Sequence, residues 1–168
     1  MVLYMTAMFG IFFCRKAVAG DACPVGVVLT IPAAGSEMSN GCVITNEHGC
    51  SKRAYDNDLC RPRFAVMNPV RTYTLSAYQT ACGAVDIMMH TMERYFSHCD
   101  DMSLTDAIVE VVMKTVCECA PKVIDAPDDY LLRSQIMWAG SLAHNNLTGC
   151  GTVGDFATHM LDLSAAYS

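Results

Sequence analysis

Charge is scarce in this sequence. Asp, Glu, Lys and Arg make up 17% of its 168 residues, and the 11 Lys and Arg are scattered. No basic run or stripe appears, so the electrostatic footprint of a nucleic-acid binder is lacking. No apolar run reaches the about 20 residues that a membrane-spanning helix needs. The nearest, Met1 to Phe13, is followed by Arg15 and Lys16, whereas a signal peptide carries its positive charge ahead of the apolar run. Residues 1–23 are therefore expected to be an apolar leader, and no membrane partner is expected. None of the ten cysteines forms a CxxC pair, which argues against zinc-ribbon and thioredoxin-type sites. The loop at 30–37 lacks the GxGxxG spacing of a dinucleotide fingerprint. No internal repeat, low-complexity linker or Ser-His-Asp arrangement is legible.

What the sequence does have is apolar material. At 52% hydrophobic it can fill a core and is no disordered chain. The net charge of −6 favours solubility. Most of the cysteines, several of them within helix-like apolar runs (Cys82, Cys117), are expected to be small buried hydrophobes in a reducing cytosol.

Short β-branched runs come first. Val25–Thr30 predicts a buried strand, Cys42–Thr45 and Ser51–Tyr55 a hairpin about Asn46–Gly49, and Phe64–Met67 a further short strand stopped by Asn68 and Pro69. Helical patterns follow. Residues 77–97 contain no proline. Ser103 with Asp106 resembles a capping box, and Leu104, Ile108, Val111, Val112 and Val116 supply a helical stripe that Pro121 should end. Asp128 and Asp129 open another helix running to about Asn146, and a last helix begins near Asp155. The expected fold class is mainly α, with a small β-containing head followed by a helical body.

Asp86 and His90 stand four apart in a helical stretch, which puts a carboxylate and an imidazole on one face with Glu93 one turn on. Such a pair can share a divalent metal, and it can equally be a hydrogen-bonded surface pair. Thr30-x-Pro-x-x-Gly-Ser-Glu37 is a strand running into a glycine-containing loop, whose backbone N–H groups suit phosphate or ribose. His159 stands in the last helix. His144, placed to hydrogen-bond a neighbouring carbonyl, ranks below it as a ligand. His48 and His98 read as solvent-exposed.

Together these segments resemble the iron-containing (group III) alcohol dehydrogenase family, butanol dehydrogenase branch. The similarity rests on TIPAAGSE at 30–37, on LSAYQTACGAVDIMMHTME at 75–93, where Ala81, Gly83, Asp86, His90 and Glu93 keep the family's order and spacing, and on IMWAGSLAHNNLTGCG at 136–151 and DFATHML at 155–161. The resemblance implies a Rossmann-like domain followed by an all-helical domain, with the active site between them. One Fe2+ or Zn2+ would polarise the oxygen of a small alcohol or aldehyde, while NAD(P) exchanges the hydride. Carried over, the metal ligands are Asp86, His90 and His159. Thr30, Gly35, Ser36, Ser39, Lys52 and Leu75 fall along the cofactor cleft.

The implied layout is a remnant of the dinucleotide-binding domain at 24–70 and a partial helical metal-binding domain at 71–168. The family's glycine-rich pyrophosphate loop and a histidine beyond the position of Ser168 are missing, so the expectation is a fragment truncated at both ends. Ala34, Asn68 and Ser76 also depart from the usual Thr, Asp and Pro. These departures keep a second reading open: a non-catalytic remnant or interaction module with at most a weak metal site. Surfaces bared by truncation leave a homodimer open as well.

Overall fold

The computed structural model describes residues 18–46, 51–97, 99, 102–153 and 156–157. The β-containing head comprises two separate two-stranded sheets. Strand β1 (Gly26–Val28) pairs in parallel with β4 (Phe64–Val66), in the register Gly26↔Phe64 to Val28↔Val66. Strands β2 (Gly41–Asn46) and β3 (Ser51–Asp56) form the expected antiparallel hairpin, in the register Gly41↔Asp56 to Asn46↔Ser51. Its turn, with His48, lies outside the described residues. The expectation of a buried first strand needs correction. With a single pairing partner among the described residues, β1 leaves Val25 and Val28 exposed, and the buried residue is Leu29, just beyond the strand.

Among the described residues, three α-helices of full length follow: α1 (Ala77–Tyr95), α2 (Ser103–Asp125) and α3 (Tyr130–His144). Helix α1 starts where Ser76 Oγ accepts the Gln79 N–H, and α3 starts where the Asp129 carboxylate accepts that of Leu132. Each cap satisfies one otherwise orphaned first-turn donor. Helix α1 buries Thr80, Gly83, Ala84, Ile87, Thr91 and Arg94, a stripe at helical spacing. The core lies where the three helices meet and includes Ala84, Ile87, Val112, Val116, Val123, Ile136, Ala139 and Ala143.

Helix α2 departs from expectation in three ways. Ser103 is its first helical residue, not its cap; Met102 holds the N-cap position and makes no side-chain cap bond. Pro121 does not end the helix, which continues to Asp125. Proline removes the bond to the Cys117 carbonyl, but both residues are on the exposed side, where water can take that bond. The buried stripe runs through Thr105, Val109, Val112, Val116 and Val123, leaving Leu104 76% exposed.

The burial expected of the cysteines is also overturned. None of the eight described cysteines is buried, and Cys82 and Cys117 sit on outward helix faces. Cys42 comes nearest to the expected role. Its Sγ lies 3.9 Å from that of Cys60, and burial, then the neighbouring Cys60, push its thiol up to about 12.

Candidate metal centre

The loop between β1 and β2 is seated on α1 and α3 through glycines. A Cβ on Gly83 would meet the Pro32 carbonyl oxygen at 2.6 Å, and one on Gly140 would stand 3.7 Å from Pro32 Cβ. Gly35 adopts φ +62, and its carbonyl accepts the N–H groups of Met38 and Ser39. The side on which a Gly35 Cβ would project is filled by the His144 ring, 2.1 Å from that position. Glu37 follows, 3% exposed, and its Oε1 accepts the Ser141 hydroxyl at 2.6 Å. The loop thus drives a carboxylate and a tight turn against the last turns of α3.

Asp86 and His90 share one face of α1, with Asp86 Oδ1 3.8 Å from His90 Nε2. The His144 ring comes in from the C-terminal end of α3, its centroid 4.1 Å from that of His90 at a 59° tilt. One ligand atom from each of Asp86, His90 and His144 falls within 4.8 Å of the other two. Ligands held 2.0–2.2 Å from a single ion stand roughly 3–4 Å apart, so the cluster fits a divalent metal after a small contraction. One carboxylate and two imidazoles suit Zn2+ or Fe2+.

His144 is 5% exposed. Its Nδ1 lies 2.8 Å from the Gly140 carbonyl. A carbonyl only accepts, so the neutral ring carries its proton on Nδ1 and keeps the Nε2 lone pair. Burial holds the ring below the usual histidine range. The Arg94 guanidinium acts in the same direction, against the Gly140 bond and the Asp86 and Glu37 charges.

Arg94 is the cross-brace of the site. Its guanidinium donates to the His90 carbonyl at 3.0 Å and to that of Ala143 at 2.5 Å, tying α1 to α3 beside both histidines. It also stands 5.1 Å from the centroid of the Phe156 ring, whose own centroid is 6.1 Å from that of His90.

The structure therefore brings together Asp86, His90 and His144. His159, expected as the third ligand, lies outside the described residues, as do His98 and Asp155. Glu93 is half-buried on α1, beside Arg94. Among the expected cofactor positions, Gly35 is buried against His144, and Thr30 and Ser36 are exposed on the same loop. Ser39 Oγ accepts the Gly41 N–H at 3.0 Å. Lys52 pairs with Thr45 across the hairpin, and Leu75 lies in the turn leading into α1. Reading the sequence missed the Arg94 brace and the buried Glu37–Ser141 contact. Arg94, four residues after His90 and within the buried stripe, carried the signal that could have found it.

This helical fold with a carboxylate–imidazole cluster defines a class. Residues 80–168, more than half the chain, match the model of the "Fe-containing alcohol dehydrogenase family, C-terminal", and the chain belongs to that family. It is 40% identical over 155 residues to a probable NADH-dependent butanol dehydrogenase 1 of Bacillus subtilis, covering 91% of this chain and 40% of that protein. It is 42% identical over 141 residues to the NADPH-dependent aldehyde reductase YqhD of Escherichia coli, covering 84% of this chain and 36% of that protein. The crystal structure of Escherichia coli YqhD superposes with a TM-score of 0.90 at 38% identity, covering 95% of this chain and 41% of that one. An NADH-dependent butanol dehydrogenase A of Thermotoga maritima superposes at 0.89 with 31% identity, covering 94% and 39%. The chain thus spans about 40% of the length of the relatives it matches. No helix among the described residues is long and apolar enough to cross a membrane.

Proposed function

We propose that this chain carries the metal centre of an NAD(P)-linked alcohol dehydrogenase or aldehyde reductase acting on small primary alcohols and aldehydes. The observation that supports the reading is the Asp86–His90 pair, one helical turn apart on α1 with Asp86 Oδ1 3.8 Å from His90 Nε2, inside the family-matched region. When bound, the divalent ion supplies a Lewis acid for the substrate oxygen and the nicotinamide supplies the hydride chemistry.

Asp86 and His90 hold the ion, with His159 as a further ligand. Arg94 and Gly140 fix the backbone and ring on which the imidazoles depend, by the bonds described above. Thr30, Gly35, Ser36, Ser39, Lys52 and Leu75 line the cofactor side. In this layout residues 24–70 belong to the dinucleotide-binding domain and 71–168 to the helical one. The protein works in the cytoplasm, as a homodimer.

Elemental analysis of the purified chain, loaded with zinc or iron and then desalted, tests the reading. One divalent ion per chain is expected, falling to none in Asp86→Ala. A wild-type chain that retains no metal would sink it.

A further inference from the structure

Nothing in the family likeness singles out His144, yet it is the most constrained imidazole in the described structure. Three observations converge on it. Its ring is buried and faces the His90 ring at 4.1 Å between centroids. Its Nδ1 is committed to the Gly140 carbonyl, so the lone pair must sit on Nε2. Among the described residues, that buried Nε2 has no hydrogen-bond partner. A polar atom buried without a partner costs about 1–3 kcal/mol unless something else satisfies it. A metal ion at the Asp86–His90 pair would do so.

We propose that His144 is a protein ligand of this centre, coordinating through Nε2 beside Asp86 and His90, with the Gly35 turn as its seat. The proposal rests on the metal-centre reading given above. A ligating imidazole ordinarily donates its other ring N–H to a carbonyl or carboxylate, which fixes its tautomer and orientation; Gly140 fills that role here. Gly35 accounts for the seat. At φ +62, with no Cβ, it lets the loop close onto the ring, and any larger residue would push the imidazole away. The Thr30–Glu37 loop thereby acquires a second task besides lining a nucleotide: it forms one wall of the metal site. His144 adds an imidazole to a carboxylate–imidazole pair that one helix alone could hold only loosely.

Cobalt(II) titration of the full chain, followed by its visible ligand-field bands and by calorimetry, tests this on wild type, His144→Leu and Asp86→Ala. Leucine fills the same volume without a donor. The expected result is a loss of at least about tenfold in Co2+ affinity for His144→Leu, since even outer-shell partners of metal ligands are worth 10–100-fold. The bands should also change, as one imidazole is lost, while the metal-free melting curve stays intact. A merely structural role would move the melt and leave the bands alone.

If His144→Leu keeps wild-type affinity and bands while Asp86→Ala loses binding, His144 is no ligand and the Asp86 centre stands without it. If the wild-type chain binds no cobalt, both readings fall together. Should His144→Leu not fold, long-range 1H–15N correlation spectra of the wild-type chain decide. Movement of the His144 Nε2 resonance on adding Zn2+ supports ligation, and an unmoved resonance overturns it.

Discussion

Single atoms decide most of what happens at Gly35. Its positive φ would cost an L residue of order 1–3 kcal/mol by itself, and the added methyl would also overlap the His144 ring. Gly35→Ala should therefore lower stability in urea by at least about 1 kcal/mol. Gly20→Ala, where a Cβ meets open space, should be neutral. Equal effects of the two substitutions would contradict this account of the turn.

Ser141→Ala is expected to cost about 1.5–3 kcal/mol, the worth of a hydrogen bond to a charged group, because it strips Glu37 of its hydroxyl donor. In a Glu37→Gln background the loss should shrink, and a double-mutant cycle in urea reads the coupling. Cys42 offers a prediction in solution chemistry. The thiolate is the nucleophile, and a thiol pushed up to about 12 holds almost none of it at pH 8. Peptide mapping after brief iodoacetamide treatment should show Cys42 modified more slowly than the exposed Cys82 and Cys117. Comparable rates would refute it.

At the scale of elements, one helix face separates what the sequence made legible from what it hid. Helix α1 was readable because a long proline-free stretch and the spacing of Asp86 and His90 point to the same face. Helix α3 was readable because Asp129 announces its start. In α2 valines occupy both faces, so apolar identity could not set the phase. Leu104 and Val111 were assigned inward and are exposed, while Val109 was missed and is buried. What set the phase was contact with α1 and α3, which local periodicity does not contain.

The site was legible to the same extent. Asp86 and His90 lie within one helix, whereas His144 reaches them only through the packing of α3 on α1. Accordingly Val109→Ala should destabilise by about 1–3 kcal/mol, as expected for a buried large-to-small change, and Leu104→Ala by less than about 0.5 kcal/mol. Urea denaturation of both variants measures it, and a reversed order would mean that α2 is rotated from its position here.

For the whole molecule, the proposed metal centre would make folding and binding one equilibrium. Its proposed ligands among the described residues come from α1 and α3, and the loop that seats His144 comes from the β-containing head, so an ion held there would clamp all three to one another. Only the folded chain presents that arrangement, so metal must raise its stability by mass action. At free Zn2+ about one hundred times the dissociation constant, the gain is about 2.7 kcal/mol. For a chain of this size that is roughly 5–10 °C in melting temperature. Thermal melts by circular dichroism, with Zn2+ and with chelator, should differ by that much in wild type and should coincide in Asp86→Ala. The same shift must also protect the head. Amide exchange in the Gly35–Ser39 turn should slow when metal is added, although no residue of that turn ligates it, because the turn holds the His144 ring in place. If exchange slowed only within the helices, Gly35 would be packing against His144 without being coupled to the site.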